Sequence, residues 1–351
     1  MGDSRTGPEV GMGREHHRPR RILVTGGAGF IGSHLVRLLL QSLPEAQVIN
    51  LDLLTYAGDL GRLDDLSHLA GTPRLTHVQG DICDGERVRA LLGEGEGVDT
   101  VMHLAAESHV DRSIAGPAVF IQTNITGTFT LLEACREAWT GRGDVRFHHV
   151  STDEVRGELL PGEPPFTEAS PYAPNSPYAA SKASSDHLVR AYHRTYGLPT
   201  VISSCSNNYG PHQHDEKFIP TVIRACLEGK PIPIYGDGMN VRDWIHVEDH
   251  CRALLAIVQG GRTGSDYLVG ARDERGNLEV VETICRLMDE ERPQAAPHRR
   301  LIRFVDDRPG HDLRYAVDPS RAEAELGWTP RIPFPEGIRR LIRHAVRGAD
   351  R

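Results

Sequence analysis

The chain has 351 residues, 39% hydrophobic and 25% charged, which suits two lobes or one large α/β domain around a buried core. A net charge of -8 argues against binding to nucleic acid or a membrane surface, and no apolar run reaches the length of a membrane span. The cysteines Cys83, Cys135, Cys205, Cys226, Cys251 and Cys285 are scattered with no CxxC pair, which argues for reduced cytoplasmic thiols and against a disulfide frame or zinc site.

Residues 1–19 are polar, rich in Gly, Arg and His, and lack the apolar stretch of a signal peptide. A disordered leader is expected there, with His16 and His17 solvated. Arg21–Thr25 (RILVT) then reads as a short strand. Gly26, Gly29 and Gly32 follow in a GxxGxxG pattern, and Ile31, Leu35, Leu38 and Leu39 recur at helical spacing. Strand, glycine turn and helix in that order suit a dinucleotide. Gly26 permits the tight turn, Gly29 lets backbone approach a pyrophosphate, and Gly32 lets the helix pack on the strand.

A second strand, Gln47–Leu51, ends at Asp52, whose carboxylate can hold the adenosine ribose hydroxyls and repel a 2′-phosphate. That favours NAD over NADP. Gly80-Asp81-Ile82 closes a third strand, with Asp81 placed to meet the adenine. The fourth, Val98–Leu104, runs into the small residues Ala105 and Ala106, as a cofactor lying across a sheet edge requires. The fifth, Val145–Val150, delivers Ser151-Thr152-Asp153-Glu154 to the same edge. Strands alternating with helices predict an α/β fold, a doubly wound parallel Rossmann sheet with right-handed crossovers.

Ser176–Lys182 (SPYAASK) puts Tyr178 and Lys182 one turn apart on a helix face. An ammonium there favours the phenolate and lowers the tyrosine's pKa. The spacing alone is weak, because Tyr and Lys fall four apart by chance in many helices. Past Asn207 the rhythm loosens into Pro- and Gly-rich stretches, so a smaller C-terminal α/β substrate lobe is expected. The anticipated organisation is a leader over 1–19, an NAD-binding domain with the catalytic residues over 20–206, and a mainly substrate-binding lobe over 207–345, with the chain crossing between lobes.

TGGAGFIGSH, HLAAESHVDRSI, STDEV, NSPYAASKASSDHL, CSNNYGP, PIPIYGDG and VRDWIHVEDHCRAL resemble the dTDP-glucose 4,6-dehydratases, from Arg21 to Pro330. These belong to the extended short-chain dehydrogenase/reductase superfamily. The glycine motif and YxxxK are shared across that superfamily, whereas STDEV and CSNNYGP are narrower. The resemblance implies a lyase that oxidises C4 of dTDP-glucose, eliminates water across C5 and C6, and returns hydride to C6 with tightly bound NAD. It implies that Thr152 bonds the C4 hydroxyl, Asp153 is the acid at C6, Glu154 the base at C5, and Tyr178 with Lys182 serves the hydride step. Asp153 must then be protonated when it acts.

For NAD the resemblance implies contacts from Gly26, Gly29, Phe30, Ile31, Gly32, Asp52, Thr55, Asp81, Ile82, Leu104, Ala105, Ala106, Ser108, Thr123 and Asn207, besides Tyr178 and Lys182. For a small-molecule nucleotide sugar it implies Ser108, Asn208, Lys217, Phe218, Ile219, Pro233, Tyr235, Arg242, Asn277, Arg308 and His311, together with Thr152, Asp153 and Glu154. No metal is implied. A homodimer is expected through helices near Thr123–Ala138 and Ser181–Tyr196. His103 and His109 are given no catalytic role, and Cys205 is expected to pack close to the cofactor.

Several positions depart from the family pattern. Arg156 stands where a tyrosine usually follows STDEV, and an inward guanidinium would oppose protonation of Asp153. Ser204 replaces an Asn or Arg before CSNN. Leu268 replaces an amide expected near the diphosphate, and Leu53 replaces a lysine in the adenosine region. These changes leave open the same dehydration on another nucleotide sugar or a nucleoside, a 4-epimerase, whose product would keep the substrate mass, or a degenerate NAD-binding regulator.

Overall fold

The computed structural model describes residues 16–69, 72–93, 97–307 and 312–349. The apolar runs of the first half form β1 (Arg21–Thr25), β2 (Gln47–Asp52), β3 (Leu75–Gln79), β4 (Thr100–His103) and β5 (Arg146–Thr152). Between them lie α1 (Phe30–Ser42), α2 (Gly85–Gly93), α3 (Val110–Ala115), α4 (Ala118–Phe120) and α5 (Gly127–Ala138). A π-helical turn, Ile121–Thr126, joins α4 to α5, so this helix begins earlier than its sequence pattern predicts. Next come α6 (Pro177–Tyr196) and β6 (Thr200–Cys205). Ser176 caps α6 by accepting from Ala179 N at 3.1 Å, Pro177 opens it, and Gly197 ends it at φ 70.

The second half begins with β7 (Asn207–Tyr209), α7 (Phe218–Glu228), β8 (Ile232–Tyr235) and β9 (Val241–His246). The chain then returns to the first lobe through α8 (Val247–Gly260) and β10 (Asp266–Val269). β10 is the seventh strand of a sheet ordered β10-β6-β5-β4-β1-β2-β3, parallel throughout. The predicted doubly wound sheet is therefore present, completed by a strand from far along the chain. β4 and β5, covered on both faces, are buried at every residue, and their polar members are hydrogen-bonded inside, as Arg146 is to Val258 O and Gly261 O and His148 to Ser203 Oγ.

Alternation along β1 divides the core. Leu23 faces Leu131 and Leu132 of α5 and Val189 of α6, while Ile22 and Val24 face Leu35 and Leu39 of α1 and Leu254 of α8. The second lobe carries β11 (Glu274–Gly276), α9 (Asn277–Glu291), β12 (Ile302–Val305), β13 (Arg314–Tyr315), α10 (Ser320–Leu326) and α11 (Phe334–Ala349). There β9 pairs with β7, β11 and β13, and β12 pairs with β8. Ile223, Ile234, Trp244, Ile284 and Ile338 fill its core.

Of the expected leader, residues 1–15 lie outside the described residues and 16–19 within them. His17, expected to be solvated, lies 2.7 Å from Thr100 Oγ1 and donates its backbone N–H to Gln259 O at 2.8 Å. Burial pushes its imidazole down to about 4.

Candidate active site

The carboxyl ends of β1, β4, β5 and β6 open onto a cleft of ≈ 650 Å³ whose far wall is the second lobe. At one end lies the glycine turn. Gly26 sits at φ 74, and a Cβ there would stand 2.8 Å from Ala105 Cα; one on Gly32 would meet Gly26 O at 2.0 Å. No side chain caps Gly29 at the start of α1, so the uncapped first-turn N–H groups are available to an anion at the cleft. Asp52 accepts from Ala28 N at 2.9 Å and Leu54 N at 2.8 Å, which pins its carboxylate beneath the turn with lone pairs left for ribose hydroxyls. The turn, helix end and carboxylate together fit NAD.

Arg62 also lines this end, a cation that sequence reading missed. It does not form a 2′-phosphate site as it stands, because its guanidinium is held by Ala28 O at 2.9 Å and Ala57 O at 2.5 Å. A second missed residue is Asn124, on the π-helical turn. Its side chain accepts from Glu107 N at 2.9 Å and donates to Glu107 O at 3.0 Å and Ser181 Oγ at 2.8 Å. It thereby ties the 104–108 loop to α6. Neither residue belongs to a motif; contacts between loops give them their places.

Thr152, Asp153, Glu154, Tyr178 and Lys182 all reach the cleft, as do all the predicted NAD contacts. Asp153 is 2% exposed, and Thr152 Oγ1 lies 3.3 Å from its Oδ1. Burial, with the carboxylates of Glu154 and Asp243 nearby, pushes Asp153 up to about 8, while Arg242 pulls the other way. A carboxyl so placed keeps its proton at neutral pH and can act as an acid. Glu154 is half-buried beside it.

The expectation for Tyr178 is reversed in the protein by itself. Burial and the Glu154 carboxylate raise its phenol well above the ordinary value, and only a hydrogen bond from Thr152 opposes them. Lys182 directs its ammonium to Val150 O, 2.8 Å away, so sequence spacing alone gives the wrong direction. Burial also lowers Lys182 to about 8. Cys205 is half-buried, its thiol pushed up to about 12 by desolvation, which argues for packing and against a nucleophile.

In the second lobe, Asn208, Lys217, Phe218, Pro233, Tyr235, Arg242 and Asn277 line the cleft. Ile219 does not: one position along α7, its side chain turns into the lobe's core and is 1% exposed. Arg308 and His311 lie outside the described residues. Asn208 is internally engaged, donating to Ser206 O at 3.0 Å, with its Oδ1 2.8 Å from His250 Nδ1. Arg242 donates to Val241 O at 2.7 Å and Asp312 O at 2.9 Å, and its guanidinium lies 4.5 Å from the centre of the Tyr315 ring. Tyr315, also at the cleft, was missed because β13 meets Arg242 only through sheet pairing.

The departures resolve differently from expectation. Arg156 is buried, but it donates to Ser170 O at 2.5 Å and lies 5.3 Å from the Tyr172 ring centre, turned away from the cleft. Leu268 is fully buried in a satellite core with Phe166 and Tyr315, not at a diphosphate. Ser204 is likewise buried within β6.

Comparison with known proteins extends these observations. A family profile described as GDP-mannose 4,6 dehydratase matches residues 23–341. The dTDP-glucose 4,6-dehydratase of Salmonella typhimurium is 52% identical over 335 residues, covering 92% of this chain and 91% of that protein. That of Neisseria meningitidis serogroup B is 53% identical over 332 residues, covering 92% of each chain. Among solved structures, DesIV, a dTDP-glucose 4,6-dehydratase from Streptomyces venezuelae with NAD and a second ligand bound, superposes with a TM-score of 0.84 at 47% identity. It covers 94% of this chain and 98% of its own.

Proposed function

Because this chain belongs to the dTDP-glucose 4,6-dehydratase family, we propose that it converts dTDP-glucose to dTDP-4-keto-6-deoxyglucose, as an NAD-dependent lyase. The observation that carries this reading is the Asp153 carboxyl, buried and held protonated beside Glu154 in the cleft that Tyr178 also enters. An epimerase has no use for such an acid–base pair.

Thr152 accepts or donates at the C4 hydroxyl, and Tyr178 takes its proton as C4 becomes a ketone. Bound NAD supplies the hydride acceptor at C4, the hydride donor at C6, and a positive ring charge that favours a phenolate. The ketone makes the C5 hydrogen acidic. Glu154 removes it, Asp153 gives its proton to the departing C6 hydroxyl, and water leaves. Glu154 then returns its proton to C5, while Tyr178 and Asp153 exchange theirs with solvent. Each positioned acid or base contributes about 10²–10⁴-fold.

We infer that Lys217, Tyr235, Arg242 and Asn277, which line the cleft, hold the nucleoside diphosphate, with Arg242 released from backbone carbonyls to pair bidentately with phosphate oxygens. We further infer a homodimer formed through the α3–α6 face, where Ile114, Val119, Ile121, Phe129 and Tyr196 are exposed. All six cysteines are free thiols, which supports a reducing, cytoplasmic setting. No helix among the described residues is long and apolar enough to cross a membrane.

Incubating the protein with dTDP-glucose and NAD should yield a product one water lighter by mass spectrometry, with no net reduction of NAD. Unchanged substrate, or preference for another nucleotide's sugar in a UDP, GDP, CDP and dTDP panel, would sink the proposal.

A further inference from the structure

Beneath the cleft, Lys182 begins a buried polar chain that the steps above do not use. Its ammonium donates to Val150 O at 2.8 Å and lies 3.4 Å from His149 Nε2. The same Nε2 is 3.2 Å from Asp186 Oδ1. Asp186, one turn beyond Lys182 on α6, is 0% exposed, and its Oδ2 accepts from Ser151 Oγ and Tyr172 OH, both at 2.8 Å. Arg190 Nη2 donates to Tyr172 OH at 2.5 Å and pairs with Asp266 on β10.

The groups facing Lys182 come from several elements. His149 of β5 and His103 of β4, with ring centres 5.1 Å apart, are kept neutral by burial. Cys205 of β6 keeps its proton. On α6, Tyr178 is protonated in the protein alone, and the charge beside it is that of Glu154, Asp153 keeping its proton. Asp186 is thus the anion that compensates Lys182. Burial holds the Asp186 carboxyl above the ordinary carboxylate range, and the Lys182 ammonium, the Tyr172 and Ser151 hydroxyls and the Arg190 guanidinium oppose that shift and favour the ionised form.

One imidazole nitrogen cannot donate to a carboxylate and accept from an ammonium together. Asp186 Oδ1 takes no hydrogen bond at its 3.2 Å contact, so Nε2 accepts from the ammonium and the carboxylate's charge acts on Lys182 across the ring edge. A buried ammonium without such an anion sheds its proton. We propose that Asp186 is a positioning residue for the redox step, keeping Lys182 charged and aligned under the cleft through the edge of His149. This rests on the reading of Tyr178 and Lys182 as the pair that serves C4 oxidation.

The chain has three lysines, Lys182, Lys217 and Lys230, so ε-13C-lysine labelling of the NAD-loaded enzyme follows Lys182 directly by NMR. Arg substitutions at 217 and 230 assign the signals. Asp186→Asn keeps the shape and the acceptor for Ser151 and Tyr172. Lys182 should titrate about one pH unit or more lower in this variant, a tenfold change in its charged fraction on the alkaline side. The alkaline limb of the kcat profile, shared with Asp153, should move to lower pH as well, and Asp186→Glu should restore part of both.

Tyr172→Phe removes one donor from Asp186 and should give a smaller shift in the same direction, which serves if Asp186→Asn does not fold. Unchanged Lys182 titration in these variants would overturn the proposal, whatever happened to kcat, since a merely structural residue would lower the rate without moving the titration. The redox reading itself fails separately, if Tyr178→Phe retains wild-type turnover.

Discussion

At Asp153 one carboxyl meets two opposed demands, because the burial that keeps it protonated also weakens the fold. Its folded pKa of about 8 lies above the ordinary carboxylate value. Its contribution is therefore most favourable below about pH 4 and is lost as pH rises towards 8, since the unfolded chain releases the proton first. Asp153→Asn should raise the melting temperature at pH 7.5 by a few degrees and leave it unchanged near pH 4, as calorimetry would show. The same change should lower turnover by about 10²–10⁴-fold through loss of the acid at C6. Residue identities at this site were legible in STDEV and SPYAASK, but their charge states were not. Tyr178 was expected to be acidified by Lys182, whereas burial and Glu154 dominate, and no linear spacing reveals that balance. Arg156 was legible as an unusual cation but not as one turned towards Ser170 and Tyr172.

Among the elements, the β1 turn and α1 form a unit whose glycines act through close backbone approach. Gly32→Ala would drive a Cβ to 2.0 Å from Gly26 O, where backbone rather than a flexible side chain must yield. The variant should purify without dinucleotide, read by absorbance and mass of the released cofactor, and melt earlier than the parent. The first five strands were readable because each is a local apolar run followed by a turn or helix pattern. β10 was not, for Tyr267-Leu268-Val269 becomes sheet only by pairing with Ser203, Ser204 and Cys205 some sixty residues earlier. The π-helical turn was equally hidden: its sequence is ordinary helix, and its widened turn is visible only as Asn124 reaching Glu107 and Ser181.

For the whole molecule, the exposed apolar side chains on α3 to α6 form the face through which we propose a homodimer. Phe129 is 46% exposed on α5 and Tyr196 55% exposed at the end of α6, on the side of the sheet away from α1 and α8. Phe129→Glu should convert a dimer to a monomer in analytical ultracentrifugation, because a charge buried without a partner opposes association. A parent protein that sediments as a monomer would remove the homodimer from the proposal.

The placement of β10 also has a temporal side. During translation the dinucleotide-binding sheet is one strand short until Val269 has left the ribosome, and β6 presents an open edge to the nascent chain's surroundings. By then β7, β8, β9 and α8 have already been synthesised. The seventh strand therefore joins the nucleotide-binding sheet only after β7, β8 and β9 of the other half have been made.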